Sequence, residues 1–165
     1  MPLEIERRFL VSSPGWHSYA GFGKSLRQCY LVVSKTGIVV RVRISNGESA
    51  WLTLKAPAEG IARHEFEYSI PLRDAEDLWK LSQYRLVKKR YEFIFEGEPW
   101  IVDTFEGANY PLELAEIELT SEDSALKVPD WCGSEVTRVG QFTNAALAQN
   151  PFSEWPEEER KNFFA

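Results

Sequence analysis

In the run LEIERRFLV, residues 3–11, Leu3, Ile5 and Arg7 alternate with Glu4, Glu6 and Arg8. Side chains two apart along a strand point to the same face. The period is therefore that of a β-strand with two glutamates and an arginine in one row. Ile5 and Phe9 back that row.

The same period recurs along the chain, broken by turn residues. It predicts strands over Gln28–Ser34, Ile38–Ser45, Ser49–Lys55, Ile61–Ile70, Tyr84–Phe95, Trp100–Phe105 and Leu112–Leu119. Between them stand Gly21 to Gly23, Lys35-Thr36-Gly37, the hairpin signal Asn46-Gly47, Pro57 to Gly60, and Glu96-Gly97-Glu98-Pro99. From Pro71 to Ser82 the period changes. Leu72, Ala75, Leu78, Trp79 and Leu81 fall at helical spacing, which predicts an amphipathic helix. Short helices are expected over Ser121–Lys127, over Asn144–Gln149 with Thr143 or Asn144 as N-cap, and from Pro156 into Glu157, Glu158 and Glu159. The expected fold is mainly β (α+β), an eight-stranded antiparallel barrel with peripheral helices, in one domain over 1–165.

The content of the polar rows is unusual. Arg41 and Arg43 share a face, Lys55 aligns with Thr53, and Arg63, Glu65 and Glu67 share another. Lys88 pairs with Arg90, Asp103 interrupts an apolar run, and Glu116 aligns with Glu118. The opposite faces carry Val40, Val42 and Ile44, Leu52 and Leu54, and Ala115, Ile117 and Leu119. Two arrangements satisfy this pattern. Either the charged rows face solvent around an apolar interior, or they line a wet lumen with the apolar faces outside. In the second, carboxylates suit hard divalent cations and the Arg and Lys rows suit phosphate oxygens.

The chain is 44% hydrophobic and 27% charged over 165 residues, with a net charge of −6. An acidic chain argues against non-specific nucleic-acid or membrane-surface binding. Cys29 and Cys132 are too few for a disulfide framework and are expected as free thiols in the cytoplasm. Charges within MPLEIERRFLV argue against a signal peptide. No apolar stretch approaches membrane-span length.

The segment EIERRFLV resembles the Glu-x-Glu-x-Lys signature of the CYTH superfamily, the triphosphate tunnel metalloenzymes. RQCYL around Tyr30, RVR at Arg41 to Arg43, LTLK ending at Lys55, RHEFE, KKRY, VDTFEG, LAEIEL, EVT and TNAALA follow in the family's order. The resemblance covers nearly the whole chain and is similar to the compact bacterial tripolyphosphatases. It implies the inward arrangement, with Mg²⁺ or Mn²⁺ held by Glu4, Glu6 and Glu118 and with Glu116 and Asp103 close by. It implies phosphate binding by Arg8, Arg41, Arg43, Lys55, Arg63 and Arg90, and a catalytic set of Lys88, Tyr30, Glu65 and Glu67. The general base stays open among Glu65, Glu67 and Tyr30. Position 8 is Arg where the family usually has Lys, and the run Val139-Gly140-Gln141-Phe142-Thr143-Asn144 lacks the family's basic residue and Tyr, for which Arg138 is a substitute. Nucleoside or thiamine triphosphatase, class IV adenylate cyclase and a non-catalytic polyphosphate or nucleotide sensor are the alternatives on the same fold. A homodimer would cover the outer apolar faces. His64 is out of phase with Arg63 and Glu65 and is expected to point away from the tunnel.

Overall fold

A computed structural model describes residues 1–164. Its strands are β1 (Leu3–Glu4), β2 (Glu6–Val11), β3 (Lys24–Val33), β4 (Val39–Ser45), β5 (Ser49–Pro57), β6 (Arg63–Ile70), β7 (Tyr84–Phe95), β8 (Glu98–Phe105), β9 (Glu113–Glu118) and β10 (Cys132–Glu135). Its helices are α1 (Leu72–Leu81), α2 (Asn144–Gln149) and α3 (Glu157–Phe164). All strands join one antiparallel sheet in the order β1-β6-β5-β4-β3-β7-β8-β9-β2-β10.

Ten strands stand where eight were expected, for two reasons. The segment 3–11 is interrupted at Ile5, so that β1 pairs with β6 while β2 pairs with β9. One continuous stretch of chain thus clasps both edges of the sheet and closes it, removing the open edges. Taken as one, β1 and β2 complete a ring of eight with β3 to β9. The tenth strand, β10, pairs on the free side of β2 with an irregular register.

The hairpins follow their turn chemistry. Asn46 and Gly47 both take positive φ between β4 and β5, as a tight two-residue turn requires. The helix predicted over Pro71–Ser82 is present, with Pro71 just before its first residue. It lays Ala75, Leu72, Leu78 and Trp79 on Cys29, Val42, Ile44 and Ala50, the outward face of β3 to β5. Leu81 is exposed and takes no part. The helix expected over Ser121–Lys127 is absent; a turn at 121–123 leads into irregular chain. Ser124 Oγ accepts from Ser121 N at 3.1 Å and closes a local turn there.

A second apolar layer covers the other outward face, where Trp16 and Trp131 pack on Phe9, Phe93, Trp100, Val102 and Ile117. A third plugs one end of the barrel. There Phe142, Leu147, Phe152 and Trp155 from the C-terminal segment meet Leu10, Tyr30, Leu86, Phe105 and Leu114. With apolar side chains outside and at one end, the charged rows are left the lumen. Both cysteines are free, and they sit in different layers.

Candidate active site

The closed sheet sets the charged rows opposite one another in register. Glu6 faces Glu118 and Arg8 faces Glu116 across β2 and β9. Arg41, Thr53 and Glu67 line up across β4, β5 and β6, beside Lys55 and Glu65. Arg90 faces Asp103 across β7 and β8. Two cavities of about 380 and 180 Å³ share Glu4, Glu6, Arg8, Arg41, Lys55 and Asn144, and form the outer and inner parts of one lumen. The inner part adds Arg43, Glu65, Glu67, Arg90, Glu116 and Glu118, and the outer part adds Tyr30, Arg63 and Arg138. Of the two arrangements left open by the strand periodicity, the inward one is therefore observed. His64 lines neither cavity.

Most acids and bases are engaged with each other. Lys55 Nζ lies 2.6 Å from Glu4 and 3.2 Å from Glu65. Arg8 bonds Glu6 at 2.7 Å and Glu116 at 3.1 Å. Burial disfavours the Arg8 charge, but Glu116 and Glu6 outweigh it and raise its pKa. Arg41 donates to Thr53 at 3.1 Å, and Thr53 donates to Glu67 at 2.8 Å. Arg63 donates to the Gly37 carbonyl at 2.8 Å.

Two cations are under-satisfied. Arg41 Nε is buried and has no partner. Arg43 donates its Nε to the neutral amide of Gln28 at 2.8 Å, and no carboxylate pairs with it among the described residues. Burial, then the charges of Arg41 and Arg90, lower the Arg43 pKa to about 9. A half-buried cation flanked by cations and without an acid is a site that favours an anion.

Asp103 departs from the expected metal set. It lines neither cavity part, because Lys88 Nζ (2.6 Å) and Arg90 (2.8 Å at both nitrogens) engage its two oxygens. Its place is to fix two cations. Lys88 also donates to Asn144 Oδ1 at 2.9 Å, and no hydrogen bond joins it to Tyr30, whose hydroxyl accepts from Gln28. Burial pushes the Lys88 pKa well below the ordinary lysine value, against the pull of Asp103.

The acids of the lumen are close enough to repel. Burial, then Glu4, Glu65 and Glu6, raise the Glu118 pKa. An all-carboxylate oxygen set under mutual repulsion fits a hard divalent cation. No group of three His, Cys, Asp or Glu side chains is already gathered at ligating distance among the described residues. Glu4 and Glu6 are held instead by Lys55 and Arg8, which must turn away for the acids to converge.

Sequence reasoning missed Gln28 as a site residue and treated Asn144 only as a cap. Gln28 was findable as a polar residue in phase with Tyr30, two positions before it on β3. Asn144 reaches the lumen from α2, and no strand period reports it.

The chain is similar throughout its length to proteins of known kind. An inorganic triphosphatase of Acetivibrio thermocellus is 41% identical over 159 residues, covering 95% of this chain and all of the relative. An inorganic triphosphatase of Nitrosomonas europaea is 38% identical over 150 residues, covering 88% and 96% of the two chains. A crystal structure of an inorganic triphosphatase superposes with a TM-score of 0.65 at 34% identity, covering 90% of this chain and 95% of that one. Residues 2–141 match the CYTH domain. With its ordered signature, closed barrel and charged lumen, the chain belongs to the CYTH domain family.

Proposed function

We propose that this chain hydrolyses a terminal phosphoanhydride of inorganic tripolyphosphate inside the barrel, with Mg²⁺ or Mn²⁺. The observation that carries the reading is Arg43, a half-buried guanidinium in the lumen without an acid, set beside Arg41 and Arg90. The inorganic triphosphatase relatives, alike over nearly their full lengths, support the substrate.

In this reading Arg41, Arg43 and Arg90 offset the charge of the phosphates and hold the chain so that water can attack the terminal phosphorus in line, while Lys88, which lines neither part of the lumen, adds its charge from its buried place at Asp103. Phosphoryl transfer needs mainly positioning and charge stabilisation. Arg8, Lys55 and Arg63 extend the cradle outward. Glu4, Glu6, Glu116 and Glu118 would hold the divalent ion, which supplies Lewis-acid polarisation of phosphoryl oxygens. Asp103 keeps Lys88 and Arg90 aimed. Glu65 and Glu67, partly open to solvent on β6, are placed to take up the proton of the attacking water. The free thiols support a cytoplasmic setting. The exposed Val32, Leu54 and Tyr68 on the outer face support a homodimer.

Phosphate release from inorganic tripolyphosphate, ATP and thiamine triphosphate, with Mg²⁺, with Mn²⁺ and with chelator, tests the proposal. Metal-dependent release from tripolyphosphate, lost in Glu4→Gln/Glu6→Gln, is the expected result. Tight binding without release from any of the three would make the protein a sensor instead.

A further inference from the structure

Gln28 and Tyr30 belong to neither the acid row nor the cation row; Tyr30 lines the lumen, and Gln28 is buried beside it, between Tyr30 and Arg43. Gln28 has 0% exposure and Tyr30 4%. Gln28 Oε1 accepts from Arg43 Nε at 2.8 Å, and Gln28 Nε2 donates to Tyr30 Oη at 3.0 Å. The polarity of this relay is forced. A guanidinium nitrogen only donates, so the amide must turn its oxygen toward Arg43. Its NH₂ group then faces Tyr30, and the phenol oxygen accepts there. The phenolic proton must point elsewhere. Tyr30 lines the outer part of the lumen, and Gln28 is the sole hydrogen-bond partner of Oη among the described residues.

We infer that Gln28 makes Tyr30 a hydrogen-bond donor to an oxygen of the bound triphosphate, and so removes it from the candidates for proton acceptor. The inference rests on the proposed function, since it needs an anion in the lumen. Ionised phosphate oxygens only accept, which matches the free phenolic proton. Gln28 has a second effect. As a neutral acceptor it orients Arg43 without cancelling its charge, whereas a carboxylate there would form an ion pair. Tyr30 touches the substrate; Gln28 is a positioning residue that acts through Arg43 and Tyr30. A carboxylate at position 28 would accept from both neighbours and turn the phenolic proton away from the ligand.

The test compares wild type, Tyr30→Phe, Gln28→Glu and the double variant. Binding of inorganic tripolyphosphate is measured in chelator, where turnover does not intervene, and phosphate release is measured with Mn²⁺. Tyr30→Phe should weaken binding and raise KM by about tenfold, the order of one hydrogen bond to a charged group. Its kcat and the shape of its pH profile should be kept. Gln28→Glu should weaken binding further, and adding Tyr30→Phe to it should change nothing more. Loss of kcat together with one limb of the pH profile in Tyr30→Phe would overturn the inference. So would an equal effect of Tyr30→Phe in both backgrounds. Thermal unfolding checks each variant, and the KM-against-kcat split of Tyr30→Phe decides by itself should Gln28→Glu fail to fold. Wild-type binding that Tyr30→Phe leaves unchanged sinks this inference alone. Absence of wild-type binding sinks the functional reading and this inference with it.

Discussion

Asp103 accepts from Lys88 and from two nitrogens of Arg90, in a site almost without solvent. Burial works against its charge, but Arg90 and then Lys88 outweigh burial and hold the carboxyl well below the usual carboxylate range. A folded-state pKa below the unfolded value, ~3.9, contributes stability above that value and loses it as the pH falls toward the folded one. Asp103→Asn leaves the buried Lys88 without its acid and Arg90 with only the longer pair to Glu116 at 3.9 Å, and should cost roughly 3–5 kcal/mol at pH 7. Urea unfolding across pH should show that gap shrinking below about pH 4, where Asp103 of the unfolded chain takes up a proton that the folded carboxylate refuses. A gap independent of pH would assign the effect to packing. Lys88 has a slope of the same sign, since its folded pKa also lies below its unfolded one, although its charged form is the protonated one. Its contribution improves as the pH rises toward ~10.4, because the buried ammonium no longer has to stay charged. The sequence shows Asp103 as an acid in an apolar strand, but not which cations lie across from it. That pairing depends on the register of β7 with β8, which hydrophobic period does not report.

The elements were legible where one period ran unbroken between turn residues. β3 to β9 and α1 each carry at least six residues of clean pattern, and each is present. Two failures share a cause, namely segments whose conformation is decided by distant partners. The four residues of β10, Cys132 to Glu135, are too short for a period and become a strand because β2 offers an edge. The segment 121–127 has helix-like composition, but Glu122 is drawn to the β5–β6 turn, where its Oε1 accepts from Ile61 N at 2.6 Å. That turn makes a prediction. Gly60 has φ +66°, and a Cβ there would stand 2.5 Å from the Glu122 carboxylate oxygens. Gly60→Ala therefore meets both an unfavourable backbone region and a displaced carboxylate, and should lower stability by about 1–3 kcal/mol. Because Gly60 and Ile61 line the outer lumen, KM for tripolyphosphate should rise as well. A thermal midpoint equal to that of wild type would show that the turn does not depend on Glu122.

At the scale of the whole molecule, a chain of net charge −6 presents an anion site because closure of the sheet turns one set of its charges inward. Closure also couples the two expected ligands. Glu4 and Glu6, the acids proposed for the divalent ion, are neutralised by Lys55 and Arg8, the cations proposed for phosphate. A triphosphate that draws Lys55 and Arg8 to itself releases the acids, and a metal that draws the acids releases the cations. Each ligand should therefore raise the affinity for the other by the same factor, as linkage requires. The check is thermal unfolding with Mn²⁺ alone, with an imido-bridged tripolyphosphate analogue alone, and with both. At a hundred times its dissociation constant a ligand adds ~2.7 kcal/mol, which for a chain of this size is a rise of roughly 5–10 °C. The analogue alone should give such a rise, and one that shrinks with added salt, because Arg43 has no acid to release and Arg41 has only the 3.5 Å contact with Glu67. Mn²⁺ alone should give less, since it must first break the pairs at Glu4 and Glu6. Both together should exceed the sum of the two separate rises. In Glu4→Gln/Glu6→Gln the excess should vanish while the analogue's own effect persists or grows, since Lys55 and Arg8 are then released from those pairs. A strictly additive response in wild type would mean that the ion pairs across the lumen do not link the two sites.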